Sequence, residues 1–214
     1  CSVLVVARVY SAVAGSDPAG QTAPLIAGAI VIVALLLYRL LRSEDIEVVG
    51  LLTTLREKDQ KINIHETDAK DLEWQAKRLN LPLHRVFLPD PCPNSIYLAR
   101  VFETLNVLKA QGLTHLAFGD LFLEDIRKFR EKNFGDTFSL LFPLWGEKTD
   151  VIAREIIKVG IQAKIVAVDS ERLPQSLIGQ PFDLKFLENL PNTVDPCGEN
   201  GEFHTFVHNS PDMQ

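Results

Sequence analysis

From Ile46 onward the chain alternates short apolar, β-branched runs with amphipathic stretches of helical period, and no other feature restricts its architecture as much. Apolar runs separated by helices are the pattern of a parallel sheet covered on its faces, so an α/β fold is expected. Residues 46–52 read as a strand and 61–65 as a weaker one. Residues 68–79 read as a helix with Ala69, Leu72, Ala76 and Leu79 on one face, Thr67 as its N-cap and Asn80 as its left-handed stop. A strand at 83–88 follows, then a long helix capped by Ser95 and running to Gln111, with Leu98, Val101, Phe102, Leu105 and Leu108 in one stripe. Gly112 ends that helix before a strand at 114–118, and a helix at 121–132 comes next. Beyond Gly135 the texture becomes irregular and apolar, which suggests a boundary between a unit at 23–134 and a smaller one at 135–214. In the second unit a helix at 150–159 is stopped by Gly160, a strand at 163–168 ends at Asp169, and a short helix at 182–190 is closed by Pro191.

Composition narrows the function classes. With 46% hydrophobic and 23% charged residues the chain has the balance of a globular protein able to bury a core. Its net charge of -6 provides no basic field for a nucleic-acid backbone, so nucleic acid is not an expected partner. Cys1, Cys92 and Cys197 are too few and too scattered for a disulfide framework or a zinc site, and a reducing, cytoplasmic setting is expected.

The amino-terminal part is different. Residues 11–22 are small and polar and read as a linker, and 1–22 as a disordered or aberrant arm. Residues 23–38 are apolar without interruption and are followed by Arg39 and Arg42. One reading is a membrane span, slightly short of the roughly 20 residues required, with the rest of the chain on the cytoplasmic side. The other is a buried strand over the β-branched residues Ile30 to Val33 that runs into a buried helix.

The richest segment is Asp195-Pro196-Cys197-Gly198-Glu199-Asn200-Gly201-Glu202-Phe203-His204-Thr205-Phe206-Val207. Gly198 and Gly201 tolerate positive φ around two carboxylates, and the loop leads into a strand on which Glu202 and His204 face opposite to Phe203 and Thr205. Glu199, Glu202 and His204 could hold Mg²⁺, accept a proton from an amine or position an ammonium ion; the plainer reading is a glycine turn with solvated acids. Gly119 and Asp120 fall at the carboxyl end of a strand, where open α/β sheets bind ligands, and Asp120 reads either as a binding residue or as a helix N-cap. Glu124 and Arg127 read as a surface pair. Trp145 reads as a ligand-facing wall or as packing between units. Cys197 reads as a small buried hydrophobe, and His65, His84, His115 and His208 show no ligand spacing.

Three stretches, Gly119-Asp120-Leu121-Phe122-Leu123-Glu124-Asp125-Ile126-Arg127, Phe142-Pro143-Leu144-Trp145-Gly146 and the segment from Asp195 to Thr205, together resemble the diphthine-ammonia ligase family. Val49-Gly50-Leu51-Leu52-Thr53-Thr54, Gln75-Ala76 and Leu81-Pro82-Leu83 add to the likeness, which covers about residues 34–211. The resemblance implies a Rossmann-like parallel sheet of the PP-loop ATP-pyrophosphatase (HUP) type with a smaller C-terminal α/β domain completing the active site. It also implies an ATP-dependent, AMP-forming amide ligase that adenylates a carboxylate, small-molecule or protein-borne, which ammonia then attacks. ATP is the implied cofactor, with Mg²⁺ as an open addition. On this likeness Glu199, Glu202, His204 and Thr205 match the catalytic C-terminal motif. Gly119, Asp120, Glu124, Trp145, Gly198 and Gly201 fall at substrate-binding or nucleotide-binding positions.

The likeness fails at one place. The family's Ser-Gly-Gly-Lys-Asp-Ser phosphate loop falls on Gly28-Ala29-Ile30-Val31-Ile32-Val33, which has neither the lysine nor the run of flexible residues that a polyphosphate nest needs. Weak ATP binding is expected, and residues before Ala34 read as a shifted reading frame or a misassembled gene end. The alternatives are a true loss of the loop, giving a noncatalytic binding module, or an acquired membrane anchor. The start at Cys1 and the stop at Gln214 read as the ends of a fragment.

Overall fold

The computed structural model describes residues 2–7, 30–59 and 69–214. Its strands and helices are β1 (Ser2–Ala7), α1 (Ile30–Leu40), β2 (Ile46–Arg56), α2 (Ala69–Arg78), β3 (Leu83–Leu88), α3 (Asn94–Ala110), β4 (His115–Ala117), α4 (Glu124–Phe134), β5 (Ser139–Leu141), α5 (Thr149–Lys158), β6 (Gln162–Val168), α6 (Leu184–Glu188) and β7 (Phe203–Asn209). This is a mixed α/β chain. The first five strands form a sheet in the order β3-β2-β1-β4-β5 with every neighbouring pair parallel, and β6 and β7 form a separate antiparallel pair. The parallel alternation anticipated from Ile46 onward is therefore present.

Several elements differ from expectation. Residues 2–7, expected in an amino-terminal arm, supply β1, hydrogen-bonded to β2 on one side and β4 on the other. The expected strand at 61–65, the Thr67 cap, the linker at 11–22, and Gly28 and Ala29 lie outside the described residues. Ile30 to Val33 are helical, correcting the strand reading: α1 is continuous from Ile30 to Leu40. β-Branching costs a helix only tenths of a kcal/mol per residue, roughly, whereas burying one such side chain contributes about 1.5–3 kcal/mol. Val31, Ile32, Leu35 and Leu36 are all at most 1% exposed. Among the described residues no helix is long and apolar enough to cross a membrane.

Helix α1 is the pivot of the packing. One continuous core joins it to Ala117 of β4, to Leu121 just beyond that strand, and to Ile152, Ile156, Ile165, Phe203 and Val207 of the C-terminal elements. A second core lies between β2, β3, α3, β4 and α4 around Tyr97, Val101, Leu105, Phe118 and Phe134. Arg39, read from the sequence as a membrane flank, instead joins α1 to the C-terminal part. It donates to Glu147, to Glu155 and to the carbonyl of Pro143.

Smaller features follow local chemistry. Asn80 has φ 53 and Gly112 φ 101, the left-handed stops expected after α2 and α3. Pro93, not Ser95, precedes α3. β5 arises within the stretch read as irregular and joins the edge of the parallel sheet beyond residue 135. Asp183 caps α6 by accepting the Phe186 N–H at 2.8 Å.

Candidate functional site

The sheet's strand order reverses direction between β1 and β4, and the carboxyl ends of strands beside such a reversal are where open α/β sheets place ligands. β4 ends there in Phe118, Gly119 and Asp120. Asp120 does not cap α4, whose N-terminus at Leu123 has no side-chain cap. Its carboxylate accepts instead from Arg130, Nε to Oδ2 at 2.5 Å and Nη2 to Oδ1 at 3.1 Å. Arg130 is buried, and its guanidinium lies 4.3 Å from the centre of the Phe118 ring. Burial opposes the guanidinium's charge, but Asp120, with a smaller contribution from Glu199, outweighs it and leaves the arginine more strongly protonated than in water. Tyr97 lies close enough to feel Arg130 and Asp120, and burial pushes its phenol up. Arg130 Nη1 and the Tyr97 hydroxyl are buried without a hydrogen-bond partner among the described residues.

Neither Arg130 nor Tyr97 was singled out in the sequence. A signal existed for Arg130: it sits one turn before Phe134 on the buried face of α4, and a charge on an apolar stripe implies a buried partner.

The other acidic candidates lie in the loop from Asp195 to Glu202. Asp195 Oδ1 accepts from Cys197 N at 2.8 Å and Glu199 N at 3.2 Å, which closes a turn. Gly198 (φ 67) and Gly201 (φ 82) take the left-handed conformation that the turn needs. Glu202 is fully buried, and its carboxylate accepts from Asp195 N at 3.0 Å, Asn200 N at 3.0 Å and Asn200 Nδ2 at 3.1 Å. Glu202 therefore holds the loop together. Glu199 is also buried, at 3% exposure, and its charge reaches Arg130. The Cys197 thiol donates to Thr149 O at 3.2 Å, and burial raises its pKa, as expected of a small buried hydrophobe and not of a nucleophile.

Strand β7 carries Thr205 to α1. Phe203, Thr205 and Val207 are buried on one face, and Thr205 Oγ1 accepts the Val31 N–H at 3.3 Å in the first turn of α1. Alternation places His204 on the opposite face from Thr205. Gly119 also meets α1, since a Cβ there would lie 3.3 Å from Ile32 Cγ2.

The fold thus brings Gly119, at the end of β4, and Thr205, on β7, to the first turn of α1, with Asp120 next to Gly119 in the chain. It leaves other expected residues out. Glu124 pairs with Lys128 at 3.0 Å on an exposed helix face, and Arg127 pairs with Glu131 at 2.7 Å, so the expected Glu124 and Arg127 pair does not form. Trp145 packs edge-on to Phe142, with the Arg127 guanidinium 4.7 Å from both ring centres. Among the described residues no group of three His, Cys, Asp or Glu side chains is disposed to hold a metal ion.

Residues 148–214 match the model of the diphthamide synthase C-terminal domain. This match supports kinship of that segment with the diphthine-ammonia ligase family. No curated protein matches the chain. The matched diphthamide synthase segment runs from just before α5 through the Asp195–Glu202 loop to the end of β7 and beyond, so it contains Glu199 and Thr205 but neither Asp120 nor α1.

The ATP that diphthine-ammonia ligases imply can be tested against the residues present. The first turn of α1 offers Val31, Ile32 and Val33, its Val31 N–H already bonds Thr205, and no lysine precedes Lys58 in the sequence. These residues do not fit a polyphosphate.

Proposed function

We propose that the chain is built on the plan of an ATP-dependent, AMP-forming amide ligase of the diphthine-ammonia ligase type, with a PP-loop, Rossmann-like sheet. On this reading its described residues serve the second half of the reaction, attack of ammonia on an activated carboxyl of a small molecule or a protein. The observation that carries it is the match of residues 148–214 to the diphthamide synthase C-terminal domain, whose closed Asp195–Glu202 loop holds the buried Glu199.

The chemistry assigned to these residues is modest. The ammonia nitrogen forms the new bond to the acyl carbon, the bond to the leaving group breaks, and the Glu199 carboxylate takes the proton that nitrogen loses. Asp120 and Arg130 fix the local charge, since each neutralises the other where water is excluded. Thr205 positions the C-terminal strand against α1. Glu202 and the two glycines shape the loop that presents Glu199.

The test supplies the chain with carboxyls already activated, as a panel of acyl adenylates, together with ammonium chloride, and measures amide by mass spectrometry. Amide formation above the uncatalysed rate, lost in Glu199→Gln with the fold retained by circular dichroism, is the expected result. Absence of catalysed ammonolysis across the panel would sink the reading.

A further inference from the structure

We propose that this chain binds no ATP, because the protein itself seals the amino-terminal turn of α1 where a polyphosphate would sit. The inference rests on the ligase reading only for the identity of the missing ligand.

Three observations carry it. A helix N-terminus receives an anion through its free N–H groups, but the Val31 N–H is bonded at 3.3 Å to Thr205 Oγ1, a hydroxyl delivered from the far end of the chain. Next, Gly119 has no side chain and would leave its face open to a ligand, yet Ile32 Cγ2 stands where the ligand would approach, 3.3 Å from the position of a Cβ. Ile32 is 1% exposed and Val31 fully buried, so the turn is part of the core that joins α1 to the C-terminal elements.

Finally, the described residues before Lys58 offer no unpaired cation. Among the described residues before Lys58 the charged donors are Arg39, Arg42 and Arg56, and they are paired with Glu147 and Glu155, with Asp212, and with Asp59. A triphosphate brought to this turn would lose its water without gaining counter-charge. A helix dipole contributes only about 0.3–1 kcal/mol at such a place and does not offset that loss. The sealed turn accounts for how α1 is a buried helix without the phosphate-loop residues: the Thr205 hydroxyl accepts the Val31 N–H and Ile32 packs on Gly119.

The experiment titrates Mg·ATP, and separately inorganic pyrophosphate, into the full chain by calorimetry, with thermal unfolding in parallel. The expected result is no saturable heat and no rise in Tm at about 1 mM ligand, where a micromolar binder would raise stability by about 4 kcal/mol. Saturable micromolar binding by the natural chain overturns the proposal. A Val31→Lys/Ile32→Gly variant supplies the cation and uncovers Gly119; a folded variant that gains at least tenfold in ATP affinity supports the sealing, and a folded one that gains none overturns it. If that variant does not fold, the titration of the natural chain decides alone. ATP binding by the natural chain overturns the sealed turn without touching the ammonolysis reading. Failure with acyl adenylates does the reverse.

Discussion

Arg130 and Asp120 form a two-point ion pair at 2.5 and 3.1 Å, with 7% and 13% of their side chains exposed. Such a pair is costly to break from one side, because the remaining charge stays buried. Asp120→Asn should therefore destabilise the chain by about 3–5 kcal/mol, and adding Arg130→Met should restore much of the loss. Urea unfolding of the two singles and the double variant measures the coupling, and additive losses would contradict it.

The loop glycines should rank in a definite order. Both have positive φ, but a Cβ on Gly198 would lie 2.8 Å from the Phe203 carbonyl oxygen, whereas nothing lies within 4 Å of one on Gly201. Gly201→Ala should cost about 1–2 kcal/mol from backbone strain alone. Gly198→Ala should cost more, seen as a larger drop in the urea midpoint.

The two loop glutamates should separate in the same assays. Glu202→Gln removes acceptor capacity from a carboxylate that holds Asp195 N, Asn200 N and Asn200 Nδ2, and should cost about 1.5–3 kcal/mol. Glu199→Gln should cost less stability than Glu202→Gln while abolishing ammonolysis. Equal losses of stability in the two variants would reassign Glu199 to the scaffold.

The Thr205 hydroxyl should matter to α1. Thr205→Val keeps the shape but leaves the Val31 N–H buried and unpaired, for a loss of about 1–3 kcal/mol. Thr205→Ser should retain most of that stability, and hydrogen exchange at the Val31 amide reports the difference directly.

Two groups should make stability fall with acid, in separate windows. Burial lowers the His84 pKa below its ordinary 6.5, so the unfolded chain takes the proton first and stability declines as pH falls below about 6.5. Glu147 is lowered by its hydrogen bond from Arg39, so its contribution is present above the ordinary carboxylate value of about 4.3 and disappears as pH falls through the folded value. His84→Gln should flatten the first limb and Arg39→Met the second, read from urea midpoints across a pH series.

The alternation after Ile46 made β2, β3, β4 and the helices between them legible, because periods of two and 3.6 residues are local properties of the chain, whereas β1, read as part of an arm, and β5, in a stretch read as irregular, were not. Asn80, Gly112, Gly198 and Gly201 were legible for the same reason: a positive φ is a demand on a single residue. Arg130 and Tyr97 were not, since a buried charge acquires its role from Asp120 on another element. Likewise Glu199 and Glu202 look alike in the sequence, and only the hydrogen bonds of the folded loop show that the Glu202 carboxylate holds Asp195 and Asn200.

By itself the sequence determined the α/β class, the kinship of its C-terminal part and the chemical poverty of the turn before Ala34, all of which depend on which residues stand next to one another. Tertiary structure decided the state of Ile30 to Val33. β-Branched side chains carry only a weak intrinsic preference, and the burial of Val31 and Ile32 in the core shared with β7 is several times larger, so the segment is a helix sealed by Thr205 instead of a strand.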